Sequence, residues 1–165
     1  LRMSRGLGDV YKRQMLQKNN MSEAEREEFL DRFSEESDRT LVAFGIMGGI
    51  FGEGIDLKND RLIGAIVVGT GLPQISNERT ILKDYYDAEN GCGFDYAFRY
   101  PGINKVLQAA GRVIRTTEDT GVILLLDERF WQREYDLLYP REWSDRKPCN
   151  IANVGKLVAD FWEQI

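Results

Sequence analysis

Three apolar runs too short to be helices punctuate the chain: LVAFGI (41–46), AIVVGTGLP (65–73, closed by Pro73) and GVILLLD (121–127). Their length and near-continuous apolar content predict strands buried on both faces. Between and around them the apolar positions change to helical spacing. Ser22 followed by Glu25 is a capping-box signature, and Phe29, Leu30 and Phe33 follow at helical intervals, which predicts a helix over about 22–35. NERTILKDYYDAEN (77–90) predicts a second helix with Ile81, Leu82 and Tyr85 on one side, stopped by Gly91. A third is predicted over about 102–116, with Pro101 in the first turn, where its missing N–H costs nothing. NVGKLVADFWEQI (153–165) predicts a closing amphipathic helix. Apolar strands alternating with helices specify an α/β domain, a mostly parallel sheet with helices on both faces. In such sheets the working loops lie beyond the carboxyl ends of the strands. The glycine-rich loop MGGIFGEGIDLKNDR, after the first strand, is in that position, and the third helix lies near it in the order of elements.

Residues 106–130, VLQAAGRVIRTTEDTGVILLLDERF, set polar residues inside an apolar run. Gln108, Arg112 and Arg115 stand at i, i+4 and i+7, one face of a helix, and Val106, Leu107, Ala110 and Ile114 form the opposite face. A guanidinium fork suits phosphate and keeps its charge at any working pH. Alone, the pattern favours a solvated helix face with its arginines in ordinary salt bridges. In GIFGEGIDL (49–57), Gly49, Gly52 and Gly54 surround the acids Glu53 and Asp56. Such glycines let backbone N–H groups face an anion, and the acids could bind ribose hydroxyls or magnesium or hold an arginine. A plain strand-to-helix turn would read the same way. The Walker A sequence GxxxxGK[ST] is absent, as is a DEAD-type acidic strand end, so these residues cannot cradle a triphosphate in the P-loop manner.

Composition narrows the classes. A chain of 165 residues suits one ordinary domain. With 30% charged residues and no apolar run of membrane-spanning length, it reads as a soluble, cytoplasmic protein with no membrane partner. The absence of histidine excludes histidine catalysis and histidine-ligated metal sites. Cys92 and Cys149 are far apart and form no CxxC pair, so they read as reduced thiols and no metal is expected here. Residues 1–14, LRMSRGLGDVYKRQ, lack the periodicity of the rest of the chain and read as a non-native leader in front of a single domain over 15–165. Their four basic residues and one acid turn the net charge of −5 into −8 for the remainder. Contact of an acidic domain with nucleic acid must then be local. GFDYAFRYPG (93–102) alternates Phe94, Tyr96, Phe98 and Tyr100, a pattern shared by base-stacking platforms and by half-buried strands or extended connectors, with core packing favoured. WQREYDLLYPREW (131–143) reads as a packed C-terminal extension, and the acidic run Glu23–Glu28 as a solvated helix face.

The combination is more specific than its parts. GEGIDL resembles motif V, and QAAGRVIR resembles motif VI, of superfamily 2 DNA helicases. The continuation TTEDTGVILLLDERF is similar to the XPD/DinG branch, and GTGLPQ stands where that branch has its GLP segment, although GTGLPQI lacks the second proline of GLPFP. The resemblance covers roughly residues 40–143. It implies a RecA-like P-loop NTPase fold, the second helicase lobe without a Walker A. The chain would be the C-terminal lobe of an ATP-dependent DNA helicase, whose missing N-terminal lobe holds ATP and Mg²⁺. Arg112 and Arg115 would reach across the cleft to the phosphates as catalytic residues, one as an arginine finger, a device that contributes about 10³–10⁵ in turnover. Gln108, Asp56 and Gly54 would serve the nucleotide. Gly52 and Glu53 would link that site to the backbone of single-stranded DNA. The fragment would be inactive alone, and an iron–sulfur cluster would belong to the missing lobe only. Two rivals stand beside this reading. One is a non-catalytic RecA-like interaction module that binds DNA or protein partners, against which the intact acids and arginines speak. The other is a small-molecule nucleotide-binding domain that would bind ATP or a dinucleotide by itself.

Overall fold

The structure is a computed structural model that describes residues 12–18, 20–34, 40–49 and 62–165. Two pairs of strands are present among them, and both are parallel. β1 (Lys12–Leu16) pairs with β2 (Thr40–Phe44) in the register Lys12↔Thr40 to Leu16↔Phe44. β3 (Gly64–Val68) pairs with β4 (Val122–Leu126) in the register Gly64↔Val122 to Val68↔Leu126. The parallel α/β expectation therefore holds. β2, β3 and β4 coincide with the three apolar runs; β2 and β3 begin one residue earlier, at Thr40 and Gly64, and each strand ends where glycine or aspartate follows. Burial on both faces is not met: Val67 is buried, but Ile66, Val68 and Leu126 are exposed. β1 has no counterpart in the sequence prediction, since KRQML has only two apolar residues. Its first three residues belong to the stretch read as a leader.

The helix signals at the level of caps hold well. α1 (Glu23–Asp31) opens with the predicted capping box: the Glu25 N–H donates to Ser22 Oγ (3.3 Å), and the Ser22 N–H donates to Glu25 Oε2 (2.8 Å). It is shorter than expected, because residues 32–34 form turns. α2 (Asn77–Asn90) has the predicted bounds. Ser76 accepts from the Arg79 N–H, and Gly91 closes the helix at φ +71°, a left-handed conformation that glycine adopts without strain. Its orientation differs from the prediction. Ile81 and Tyr85 are exposed, and the half-buried positions are Arg79, Leu82, Lys83 and Tyr86.

The alternating aromatics are not in a strand or connector. Asp95–Arg99 form a turn of π-helix that continues into α3 (Tyr100–Ala110). A period of two also contains i, i+4 pairs, and those are the ones in contact. Phe94 stacks on Phe98 at 5.5 Å between centroids, and Tyr96 meets Tyr100 edge-on at 5.2 Å. Core packing is partly realised: Phe98 is buried, while Phe94 and Tyr96 are exposed. Pro101 explains the π turn. It has no N–H for the carbonyl of Ala97, four residues earlier, and its ring crowds that carbonyl in a regular α-helix. Ala97 is fully buried, and its carbonyl accepts instead from Arg79 Nη1 of α2 (3.1 Å). One guanidinium thus supplies a donor that proline cannot.

α3 anchors the core. Ile103 and Val106 pack with Val67 of β3 and with Phe130 and Tyr135 from the C-terminal extension, and Met47 and Leu107 flank them. That extension, read as packed, is packed in part: Tyr135 is buried and Leu138, Tyr139 and Trp143 are half-buried, but Trp131 and Leu137 are exposed. It turns through Glu128–Trp131, α4 (Arg133–Asp136) and Arg141–Trp143, and α5 (Val154–Trp162) comes after them. The Tyr139 hydroxyl donates to the Phe130 carbonyl at 2.8 Å, and burial pushes its phenol up to about 12. At the start of α3 the backbones themselves meet. A Cβ on Gly102 would lie 2.7 Å from the Thr70 carbonyl oxygen, and one on Gly71 would lie 2.7 Å from the Gly102 carbonyl oxygen. Glycine is required on both sides of this contact.

Gly→Ala inside a helix ordinarily adds about 1 kcal/mol of stability. Gly102→Ala is expected to do the reverse, because the obstructing atom is backbone oxygen. A lowered urea midpoint for Gly102→Ala is the expected result, and a raised one would show that α3 does not sit against the loop after β3.

Candidate functional site

The segment with Gln108, Arg112 and Arg115 is only partly helical. α3 ends at Ala110, not near 116. The Gly111 N–H still reaches the Leu107 carbonyl (2.8 Å), but Arg112 and Val113 bond back three residues, to Ala109 (3.3 Å) and Ala110 (3.0 Å). The last turn therefore tightens and the chain leaves the axis. Gly111 is the stop signal that the helical pattern overrode. As a result Gln108 is on the helix and exposed, while Arg112 and Arg115 lie beyond its end, both half-buried and neither without a partner. The predicted apolar face is corrected in the same way. Val106 and Ala110 are fully buried and Leu107 partly so, but Ile114 turns outward and Val113 takes the buried place.

Beyond the helix the arginine segment is fixed by two devices. Asp119 Oδ2 accepts the backbone N–H groups of Arg115 (2.8 Å) and Thr116 (2.7 Å), and Thr116 Oγ1 accepts the N–H of Glu118 (3.3 Å). These two backbone bonds hold the Asp119 carboxyl below the usual carboxylate range, with the Arg115 charge the smallest contribution. The second device is steric. Val113 is buried directly over Gly121, where a Cβ would collide with its Cγ1 and would lie 2.9 Å from the Ile63 carbonyl oxygen. The Val122 N–H then donates to that Ile63 carbonyl (3.0 Å) as the chain enters β4. Asp119 went unnoticed in the sequence, although the polar cluster TTEDTG after a glycine stop is a loop signature.

The described start of the glycine-rich segment meets the middle of α3. The Lys105 side chain crosses Gly48, its Cδ and Cε 3.6 Å from where a Cβ would stand. Gln17 Oε1 accepts the Ile46 N–H (2.9 Å). Gly52, Glu53, Gly54 and Asp56 lie outside the described residues, in the stretch joining Gly49 to Leu62. Gly48 is thus beside α3, and Arg112 and Arg115 follow beyond the C-terminal end of that helix.

The DERF end of the motif is structural. Arg129 grips Asp127 through two bonds, Nε to Oδ1 (2.8 Å) and Nη2 to Oδ2 (2.7 Å), which keeps the Asp127 carboxyl low, and Phe130 enters the core. Cys92 and Cys149 are unbridged. No group of histidine, cysteine, aspartate or glutamate among the described residues could hold a metal ion, and no described helix is long and apolar enough to cross a membrane. Arg112, Arg115 and Gln108 are the cationic and amide groups of this segment, Gln108 exposed and the two arginines half-buried.

Asp119 with a lowered pKa contributes order that is complete above the ordinary aspartate value and disappears as pH falls through the lowered one. In an NMR titration from about pH 7 to about pH 2, the Arg115 and Thr116 amide protons should move together, with a shared midpoint below about 3.9. Separate midpoints, or one at the ordinary value, would contradict the bonding.

Comparison with known proteins gives a consistent result. Residues 3–146 match the helicase C-terminal domain family. The chain is 32% identical over 145 residues to the ATP-dependent DNA helicase XPD of Sulfolobus acidocaldarius, covering 82% of this chain and 24% of that protein. It is 32% identical over 101 residues to the ATP-dependent DNA helicase DinG of Photobacterium profundum, covering 60% of this chain and 14% of that protein. A solved XPD helicase structure superposes with a TM-score of 0.61 at 24% identity, over 82% of this chain and 24% of that one. The chain spans about a quarter of the length of its XPD relative.

Proposed function

The chain belongs to the helicase C-terminal domain family, in its XPD/DinG branch, and we propose that it acts as the second RecA-like lobe of an ATP-dependent DNA helicase. In this reading a separate N-terminal lobe holds ATP and Mg²⁺, and this lobe supplies charge to the phosphates from across the cleft. Arg112 and Arg115 are the groups that reach them, with Gln108 sensing or positioning the nucleotide. Asp56 and Gly54 serve the same side, and Gly52 and Glu53 connect it to single-stranded DNA. The observation that most supports this reading is the fixed presentation of the arginine segment. Beyond a helix buried along Val106 and Ala110, Arg115 is fastened by its own backbone N–H to Asp119, and Val113 is locked over Gly121. A solvated salt-bridge face needs no such fixing, whereas a group that meets charge developing on another lobe's substrate must already be in place.

The mechanism derives from that placement. ATP binding draws the lobes together and brings the guanidiniums against the phosphates, where they offset charge as the terminal phosphoryl group passes from the ADP leaving group to water. Release of the resulting inorganic phosphate removes the shared anion and lets the lobes part, and repetition moves the protein along a strand. The acidic domain gives DNA no broad attraction, so strand contact is confined to local backbone donors.

In the full-length protein, DNA-stimulated ATP hydrolysis should fall by about 10³–10⁵ on Arg115→Ala or Arg112→Ala for whichever residue is the finger. ATP binding should change far less, and the 165-residue chain alone should turn over no ATP. Robust turnover by the chain alone, or wild-type rates in both variants, would overturn the proposal. A full-length protein devoid of ATPase activity would favour the interaction module.

A further inference from the structure

Arg115 stands where the helix no longer carries it. Ala110 is the last residue of α3, and the i−3 bonds of Arg112 and Val113 close its final turn. Among the described residues, the N–H groups of Arg115 and Thr116 bond to no helical carbonyl, and the next turn is the one closed by the Asp119 N–H on the Thr116 carbonyl (3.4 Å). The residues of that turn, Thr116 to Glu118, are exposed. An exposed turn of this kind ordinarily samples several backbone conformations, and with them several positions for the arginine head. Here one carboxylate oxygen gathers both N–H groups at 2.7–2.8 Å, distances typical of charge-assisted bonds.

From this geometry we propose that Asp119 is a positioning residue for Arg115, fixing through the backbone where its guanidinium meets the phosphate. The proposal rests on the reading of Arg115 as a phosphate-facing group, and it adds a residue outside QxxGRxxR to the site. Asp119 itself touches neither nucleotide nor DNA. Its carboxylate acts on the main chain at Arg115 and Thr116, and so on the Cα from which the side chain departs. A misplacement of about 1 Å in a catalytic group can cost about a hundredfold in rate.

The test is steady-state ATP hydrolysis with single-stranded DNA by the full-length protein, comparing wild type, Asp119→Ala, Arg115→Ala and the double variant. Asp119→Ala should lower kcat by about tenfold to a hundredfold with little change in KM for ATP. The double variant should be no slower than Arg115→Ala, because a residue that acts only through Arg115 has nothing left to position. A purely structural role would instead lower the thermal midpoint and slow both backgrounds alike. Should Asp119→Ala not fold, Asp119→Asn keeps an acceptor oxygen without the charge and is expected to show an intermediate kcat at the wild-type midpoint. An impaired Arg115→Ala beside an unimpaired Asp119→Ala, or losses that add in the double variant, would overturn the positioning role alone. Wild-type kcat in Arg115→Ala would overturn this role, and the underlying reading of the site as well if Arg112→Ala were equally unimpaired.

Discussion

The structure depends on the approach of two backbones, the loop leaving β3 at Thr70 and Gly71 and the first turn of α3 at Gly102. With no side chain on either glycine, the helix settles against the end of the strand, and Ile103 and Val106 drop into the core beside Val67. The direction of α3 is fixed at that contact. Everything further along is fixed relative to it: Gln108 on the outer side, Ala110 beneath, and Val113 over Gly121 where the chain re-enters the sheet. The arginine segment is thus held at both ends by glycines that admit close packing.

Between these steric anchors, polar groups that regular helix would have satisfied are satisfied from elsewhere. At the start of α3, Pro101 cannot bond the buried Ala97 carbonyl, and Arg79 of α2 supplies a donor. Past its end, Arg115 and Thr116 have lost their helical acceptors, and Asp119 takes both. Left bare, the buried Ala97 carbonyl would cost about 1–3 kcal/mol, whereas the N–H groups of the exposed turn at Thr116 would turn to water. The two repairs differ in reach. Arg79 joins two helices, whereas Asp119 closes a local turn and tunes only the backbone beneath one arginine.

The sequence discloses whatever short-range chemistry determines. Ser22 with Glu25, and Ser76 with Gly91, mark helix ends because caps are made by the residues at those ends. Three apolar runs mark β2, β3 and β4 because strands are short and rich in apolar, β-branched residues, although Ile66 and Val68 of β3 are exposed. What it conceals is set by partners distant along the chain. β1 is a strand through pairing with Thr40–Phe44 and not through its own composition. The inward face of α2 contains Arg79 because a carbonyl on another helix needs a donor, which no periodicity reports. The alternating aromatics suggested an extended strand, and Pro101 produced a π turn. The spacing of Gln108, Arg112 and Arg115 implied one helical face, yet Gly111 ends the helix between the first and second of them. The resemblance to the XPD/DinG branch was legible regardless, since it rests on residue types and their order, and family membership bears that out. The roles of the individual residues remain proposals, and those of motif V fall in residues outside the described structure.

If one of Arg112 and Arg115 is reserved for charge that exists only during phosphoryl transfer, equilibrium binding to the full-length protein reveals it without reference to turnover: the Kd of ADP alone against the Kd of ADP with aluminium fluoride, in wild type, Arg112→Ala and Arg115→Ala. Loss of the finger should leave ADP binding nearly unchanged and weaken binding of the transition-state mimic by about 10³-fold or more. Equal weakening of both ligands, or of neither, in both variants would contradict the account.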